Sequence, residues 1–180
     1  GLLVDVSKKH LEMRQVALSA RQPFSTKVQA KLSFRKPIFL WKGVGETYYI
    51  DKEGVLFIKN MYKNLSEKNL PVIEDQGGVA PDPGQTVLTD TIVTDIAKLY
   101  QLMSSVYPQS VRVSQIILPP AAREIRAKLD GVPYYVKFST ERPIEDQVGE
   151  LKQVVDHLNS NKVTPGEYID VRVINKVFYK

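Results

Sequence analysis

The sequence predicts an α+β fold in which a mostly antiparallel sheet carries two amphipathic helices on one face and follows a separate β-hairpin. Three observations carry this expectation. Short runs of alternating apolar and polar residues recur from residue 16 to residue 179, the period of half-buried strands. Two stretches, 89–106 and 143–158, switch to apolar steps of three and four, the period of a helix with one buried face. Strand runs stand before, between and after those helices in groups, an order that suits an α+β chain better than a strictly alternating one.

Asp5 or Ser7 can cap a short helix over residues 7–12. The period then changes, and Val16, Leu18 and Ala20 share one face of a strand. Residues 22–26 supply a turn, after which Val28, Ala30, Leu32 and Phe34 alternate with Gln29, Lys31, Ser33 and Arg35. The two runs read as an antiparallel hairpin with one buried face. Residues 1–36 are too few to bury a complete core, so an earlier strand or helix, or packing on the residues after 36, is expected. Pro37 restrains its predecessor to extended geometry and cannot donate to a ladder, which places a domain boundary there, between residues 1–36 and 37–180.

In the second unit, residues 38–41 are extended, and the turn Asp51-Lys-Glu-Gly54 joins the runs 48–51 and 55–58 into a hairpin. Trp41, the single tryptophan, is assigned to the core, with a binding anchor as the alternative. Leu70-Pro-Val-Ile73 opens the next extended run, and the proline, glycine and acidic residues of 74–84 mark a surface loop. Thr89 or Asp90 caps a helix whose stripe is Ile92, Ile96, Leu99, Met103 and Val106, ended by Tyr107-Pro108. Residues 111–118 and 124–129 read as strands. Asp130-Gly131, a pair that tolerates the positive φ of a type I′ turn, joins the second to residues 132–138. Pro133 favours an edge strand or the first positions of its strand. The second helix starts at Pro143 with Glu145 and Asp146 in its first turn, where the helix dipole favours anions, and buries Ile144, Val148, Leu151, Val155 and Leu158.

The chain has 180 residues, 43% apolar and 25% charged, an ordinary globular composition. No window holds the roughly 20 apolar residues of a membrane helix, the start lacks signal-peptide character, and without an initiator Met an excised piece is expected. The absence of cysteine excludes disulfides, thiolate catalysis and zinc–thiolate sites. The net charge of +5 is concentrated at the front, where residues 1–63 carry 12 Lys/Arg against 5 Asp/Glu. That basic front could suit a nucleic acid or an anionic surface; a solvated face of alternating strands is the preferred reading.

Residue types that would carry catalysis do not converge. His10 and His157 sit among charged residues with no second ligand at metal spacing, Gly43-Val-Gly45 lacks the remainder of a dinucleotide fingerprint, and neither a phosphate loop nor a nucleophile elbow is present. No enzyme, cofactor, metal or small-molecule substrate is expected. Asp170 and Arg172, two apart on a strand, can pair on one face, as a structural bridge or for recognition. No organised basic and aromatic platform for nucleic acid stands out, although Lys27, Lys31 and Arg35 keep that alternative testable.

The closing stretch holds the strongest candidate. Tyr168, Asp170, Arg172 and Ile174 alternate with Ile169, Val171 and Val173, Asn175-Lys176 interrupts, and Val177-Phe178-Tyr179 resumes the strand pattern. A last strand is either tucked inside the sheet or left as an edge that offers unpaired N–H and C=O groups to a partner.

In motif order and spacing, the chain resembles the FtsQ/DivIB family of bacterial cell-division proteins over nearly its whole length. The residues that carry the likeness are Arg35-Lys-Pro-Ile38 with Trp41 close behind, Tyr49-Ile-Asp-Lys-Glu-Gly54, Leu70-Pro-Val-Ile73, the middle helix and Tyr168-Ile-Asp-Val-Arg172. The resemblance implies that residues 1–36 are the later part of a POTRA domain and 37–180 the family's β domain. It implies a non-enzymatic divisome scaffold of septum formation at the extracytoplasmic face of the plasma membrane, anchored by a single transmembrane helix upstream. The implied partners are division proteins of the FtsB/FtsL (DivIC/FtsL) type, which add a strand at the C-terminal edge: Val177, Phe178, Tyr179 and Lys180, with Arg172 and Tyr168 as secondary contacts. Another POTRA-containing extracytoplasmic adaptor remains the alternative, with a nucleic-acid module behind it. The acidic loop at 74–85 departs from the family pattern.

Overall fold

The computed structural model describes residues 10–20, 28–45, 47–58, 70–78, 80–120 and 123–180. The strands are β1 (Met13–Ala20), β2 (Val28–Phe34), β3 (Phe39–Lys42), β4 (Thr47–Ile50), β5 (Leu56–Phe57), β6 (Val72–Asp75), β7 (Val113–Leu118), β8 (Glu124–Leu129), β9 (Tyr135–Ser139), β10 (Tyr168–Val173) and β11 (Lys176–Tyr179). Helix α1 (Asp90–Leu102) lies between β6 and β7 and runs into a 3-10 turn, Met103–Ser105; helix α2 (Ile144–Ser160) lies between β9 and β10. β1 and β2 pair with each other, and the other nine strands form one sheet in the order β11-β10-β9-β8-β7-β6-β3-β4-β5.

The fold is α+β with a mostly antiparallel sheet, as expected. Five neighbouring pairs in the large sheet are antiparallel, and three, β3–β6, β6–β7 and β9–β10, are parallel. Two of the parallel pairs have a common cause. Each helix is the crossover between two neighbouring strands, and a helical crossover returns the chain in the same direction.

Both helices obey the sequence signals. The Thr89 hydroxyl accepts the Ile92 N–H at 3.3 Å and caps α1, and Pro143 immediately precedes α2. Their apolar stripes cover one face of the sheet, where Ile96, Leu99 and Leu151 meet Ile50, Ile73, Ile116, Val136 and Ile169, all 0% exposed. Full burial of one such side chain contributes about 1.5–3 kcal/mol. Trp41 belongs to this core, in agreement with its default assignment.

Several local expectations change. Leu11 and Glu12 form a turn rather than a helical end, and the rest of the expected first helix, like the expected turn at 22–26, lies outside the described residues. The hairpin's apolar face is not buried among the described residues: Val16 pairs with Leu32 and Leu18 with Ala30, yet Leu18 is 48%, Leu32 44% and Phe34 39% exposed. Gly131 has a φ of 70°, but Asp130 has no positive φ, which rules out the expected type I′ turn. Pro133 falls in the connection, because β9 starts at Tyr135. The closing turn is Ile174-Asn175, with Asn175 at a φ of 57° and Lys176 already paired with Val173.

Candidate functional site

The large sheet has two edges, and they differ. At β5 the edge is covered: the Leu56 N–H donates to the Gln85 carbonyl at 2.9 Å, its own carbonyl accepts the Gly84 N–H at 2.7 Å, and Val55 bridges Thr86. At β11 no further strand is present among the described residues. The covered edge is blunted in the way single sheets usually are, whereas β11 has no such cover among the described residues.

One rung fixes which groups β11 presents. Lys180 and Tyr168 exchange main-chain bonds, 3.1 Å from the Lys180 N–H and 3.4 Å from the Tyr168 N–H. Paired residues in an antiparallel ladder alternate between rungs that exchange both bonds and rungs that exchange none. With Ile169 opposite Tyr179 and Asp170 opposite Phe178, Lys180 and Phe178 turn their main-chain groups inward to β10. Tyr179 and Val177 therefore direct theirs outward.

The side chains sort by the same register. Val177 and Tyr179 lie on the helix-covered face with Ile169, and Val177 packs partly against the main core. Phe178 lies on the opposite face with Asp170. Val173 at 46%, Ile174 at 64%, Phe178 at 52% and Tyr179 at 50% exposed give this one hairpin a concentration of open apolar surface. The ε-ammonium of Lys180 pairs with Glu167 at 2.7 Å, which raises the Lys180 pKa and lowers that of Glu167.

Behind the edge, Asp170 and Arg172 share a face and are paired. The Arg172 Nη2 lies 2.6 Å from Asp170 Oδ2, its Nε donates to Oδ1 at 2.9 Å, and its backbone N–H donates to the same oxygen at 3.1 Å. A second carboxylate, Glu124 of β8, takes Arg172 Nη1 and also holds Arg126 at 2.7 Å. Glu124 is 5% and Asp170 7% exposed. Burial pushes the Asp170 carboxyl up, but the Arg172 guanidinium and N–H, helped by Lys137, outweigh it and hold the pKa below its ordinary value. Arg172 is raised chiefly by its bond to Asp170. The guanidinium thus serves as a structural bridge across β8 and β10 while still half-exposed. Tyr168 packs its ring beside Tyr135 at 6.2 Å, with Lys137 Nζ 3.7 Å above its ring centre.

Other candidates do not assemble into a site. His10 lies beside Glu12, and His157 is exposed in the last turn of α2. Among the described residues no group of three or more His, Asp or Glu side chains could hold a metal ion, and no helix is long and apolar enough to cross a membrane. Of the cations a nucleic-acid platform would use, Arg35 is bound to Asp51 at 2.5 Å.

Two residues that matter near the edge escaped the sequence reading. Gln147 is 0% exposed on the buried stripe of α2. Its position three residues after Ile144 on that stripe was the available signal. Arg142 donates to the Val171 carbonyl at 2.7 Å; nothing in the local pattern distinguishes it from a solvated arginine.

The arrangement places outward main-chain groups and exposed apolar side chains of β11 beside the charged cluster of Glu124, Asp170 and Arg172. No curated protein matches the chain. The family described as "Cell division protein FtsQ/DivIB, C-terminal" matches residues 39–172, from β3 into β10 and including both helices, Tyr168 and Arg172, with residues 177–180 beyond the matched stretch. The chain belongs to the FtsQ/DivIB family of cell-division proteins.

Proposed function

We propose that this protein is a non-enzymatic scaffold of the divisome that binds partner division proteins by adding their strand to β11. The observation that carries the reading is the open edge itself, with the N–H and C=O groups of Val177 and Tyr179 directed outward while the opposite edge is covered. Strand addition draws affinity from such main-chain groups and selectivity from alternate side chains. Here those are Phe178 on one face and Val177 with Tyr179 on the other, with Lys180, Arg172 and Tyr168 at the periphery.

The partners in this reading are of the FtsB/FtsL (DivIC/FtsL) type, and the protein works at the extracytoplasmic face of the plasma membrane at the septum, held there by an upstream transmembrane helix. Residues 37–180 form the β domain, and residues 1–36 are the later part of a POTRA-like domain. The open apolar face of the β1–β2 hairpin supports this division, since it is the face that the rest of such a domain would cover.

Proline substitutions test the edge. Val177→Pro and Tyr179→Pro each remove an outward N–H and leave the ladder to β10 its donors. Capture of an FtsB-type extracytoplasmic segment should be lost while the thermal unfolding midpoint stays near that of the parent. Undiminished capture by both variants sinks the edge assignment.

A further inference from the structure

At the end of the β9–β10 ladder, side chains that belong to neither strand take the main-chain groups of Ser139 and Val171. The Tyr135 N–H donates to the Glu167 carbonyl at 3.1 Å, which sets the phase of the parallel β9–β10 ladder. In that phase, bonds recur every second residue, and the next rung beyond the paired residues Asp170 and Lys137 would join the Ser139 N–H to the Val171 carbonyl. That rung is not made. The Ser139 N–H donates instead to Gln147 Oε1 at 2.7 Å, and the Val171 carbonyl accepts from Arg142 Nη1 at 2.7 Å.

Both substitutes are fixed from α2. Gln147 is wholly buried and its Nε2 donates back to the carbonyls of Ser139 at 3.0 Å and Arg142 at 3.1 Å. Arg142 is bidentate to Glu150, at 2.7 Å through Nη2 and 3.3 Å through Nη1, with its side chain 13% exposed. At the same place, on the other side of β10, the register with β11 shifts between Asp170 and Val173, so that Val171 and Arg172 together oppose Val177. A bulge of this kind bends its strand and redirects the residues beyond it.

We propose that Arg142 is the positioning residue of the β11 edge. By taking the Val171 carbonyl in place of Ser139, it ends the β9–β10 ladder early and holds β10 where the bulge, and with it the outward register of Val177 and Tyr179, is set. The consequence for docking rests on the strand-addition reading above; the structural assignment does not.

Site-resolved amide exchange on the 180-residue protein tests it. Arg142→Ala should accelerate exchange at the inward Phe178 and Lys180 amides by about tenfold, the scale expected for a sub-global opening that loses one charge-assisted anchor, while Ile116 and Ala127 exchange as before. Glu150→Gln, which keeps the guanidinium but frees it from α2, should move the same two amides by less. Unchanged exchange at Phe178 and Lys180 in both variants overturns the assignment, as does equal acceleration across β7 and β8. Capture of an FtsB-type segment is measured alongside. Arg142→Ala should weaken it, and failure of the unsubstituted protein to capture the segment counts against strand addition rather than against the role of Arg142 in the hairpin.

Discussion

Arg35 and Asp51 form an ion pair at 2.5 Å that ties the β1–β2 hairpin to the large sheet. Asp51 is 3% exposed, and its other oxygen accepts the N–H groups of Glu53 at 2.9 Å and Val55 at 3.0 Å. From the hairpin side, the Arg35 Nε also donates to the Leu11 carbonyl at 3.1 Å, and its backbone N–H to that of Glu12 at 2.8 Å. Arg14 adds a second, exposed pair with Glu53. The β1–β2 hairpin is therefore joined to the large sheet by side chains on either side of Pro37 as well as by the chain.

Removing Arg35 leaves a buried carboxylate without its cation, so Arg35→Ala should cost about 3 kcal/mol in denaturant unfolding. The double variant Arg35→Ala with Asp51→Asn should recover part of that loss, because no charge is then stranded. A single variant within 0.5 kcal/mol of the parent, on the roughly ±0.5 kcal/mol scale of neutral surface changes, would show that the pair contributes nothing.

Gly54 closes the β4–β5 turn with a φ of 73°, and an added Cβ would lie 2.0 Å from the Leu88 carbonyl oxygen. Positive φ and a backbone collision act together here. Gly54→Ala should destabilise by roughly 3 kcal/mol or more, whereas Gly149→Ala, on an exposed helical surface with nothing within 4 Å, should stabilise slightly or change nothing. Equal midpoints for the two variants would refute the close approach.

The Asp170–Arg172 pair sets an acid limit on the terminal hairpin. Because the folded pKa of Asp170 is held below its ordinary 3.8, its contribution is fully present above that value and is lost as pH falls through the lower, folded one. Protection of the Phe178 amide relative to Ile116, corrected for intrinsic exchange, should be level from neutral pH down to the ordinary carboxylate range and fall below it. Asp170→Asn should abolish the drop; a drop that survives the substitution shows that Asp170 is not its source.

The helices were legible because capping and periodicity are local: Thr89 and Pro143 announced starts that the structure places at Asp90 and Ile144. Strand existence was legible for the same reason. Strand neighbours were not, since an alternating run such as residues 168–173 reads alike whether its partner is parallel or antiparallel; the β9–β10 pairing is dictated by the crossover of α2. The identity of the edge was left open by sequence, because pairing partners decide it. Which face Phe178 takes depends on the rung between Lys180 and Tyr168 and on a bulge that has no signature in Val171-Arg172. Gln147 was the one polar residue whose place on an apolar stripe could have marked it in advance.

Whether β11 accepts a partner strand, as proposed, is read from amide protection in the presence of an FtsB-type extracytoplasmic segment. The Val177 and Tyr179 amides, which face away from β10, should become protected on binding, while Phe178 and Lys180, already turned to β10, should change little. Saturating binding that leaves Val177 and Tyr179 unprotected would contradict strand addition at β11.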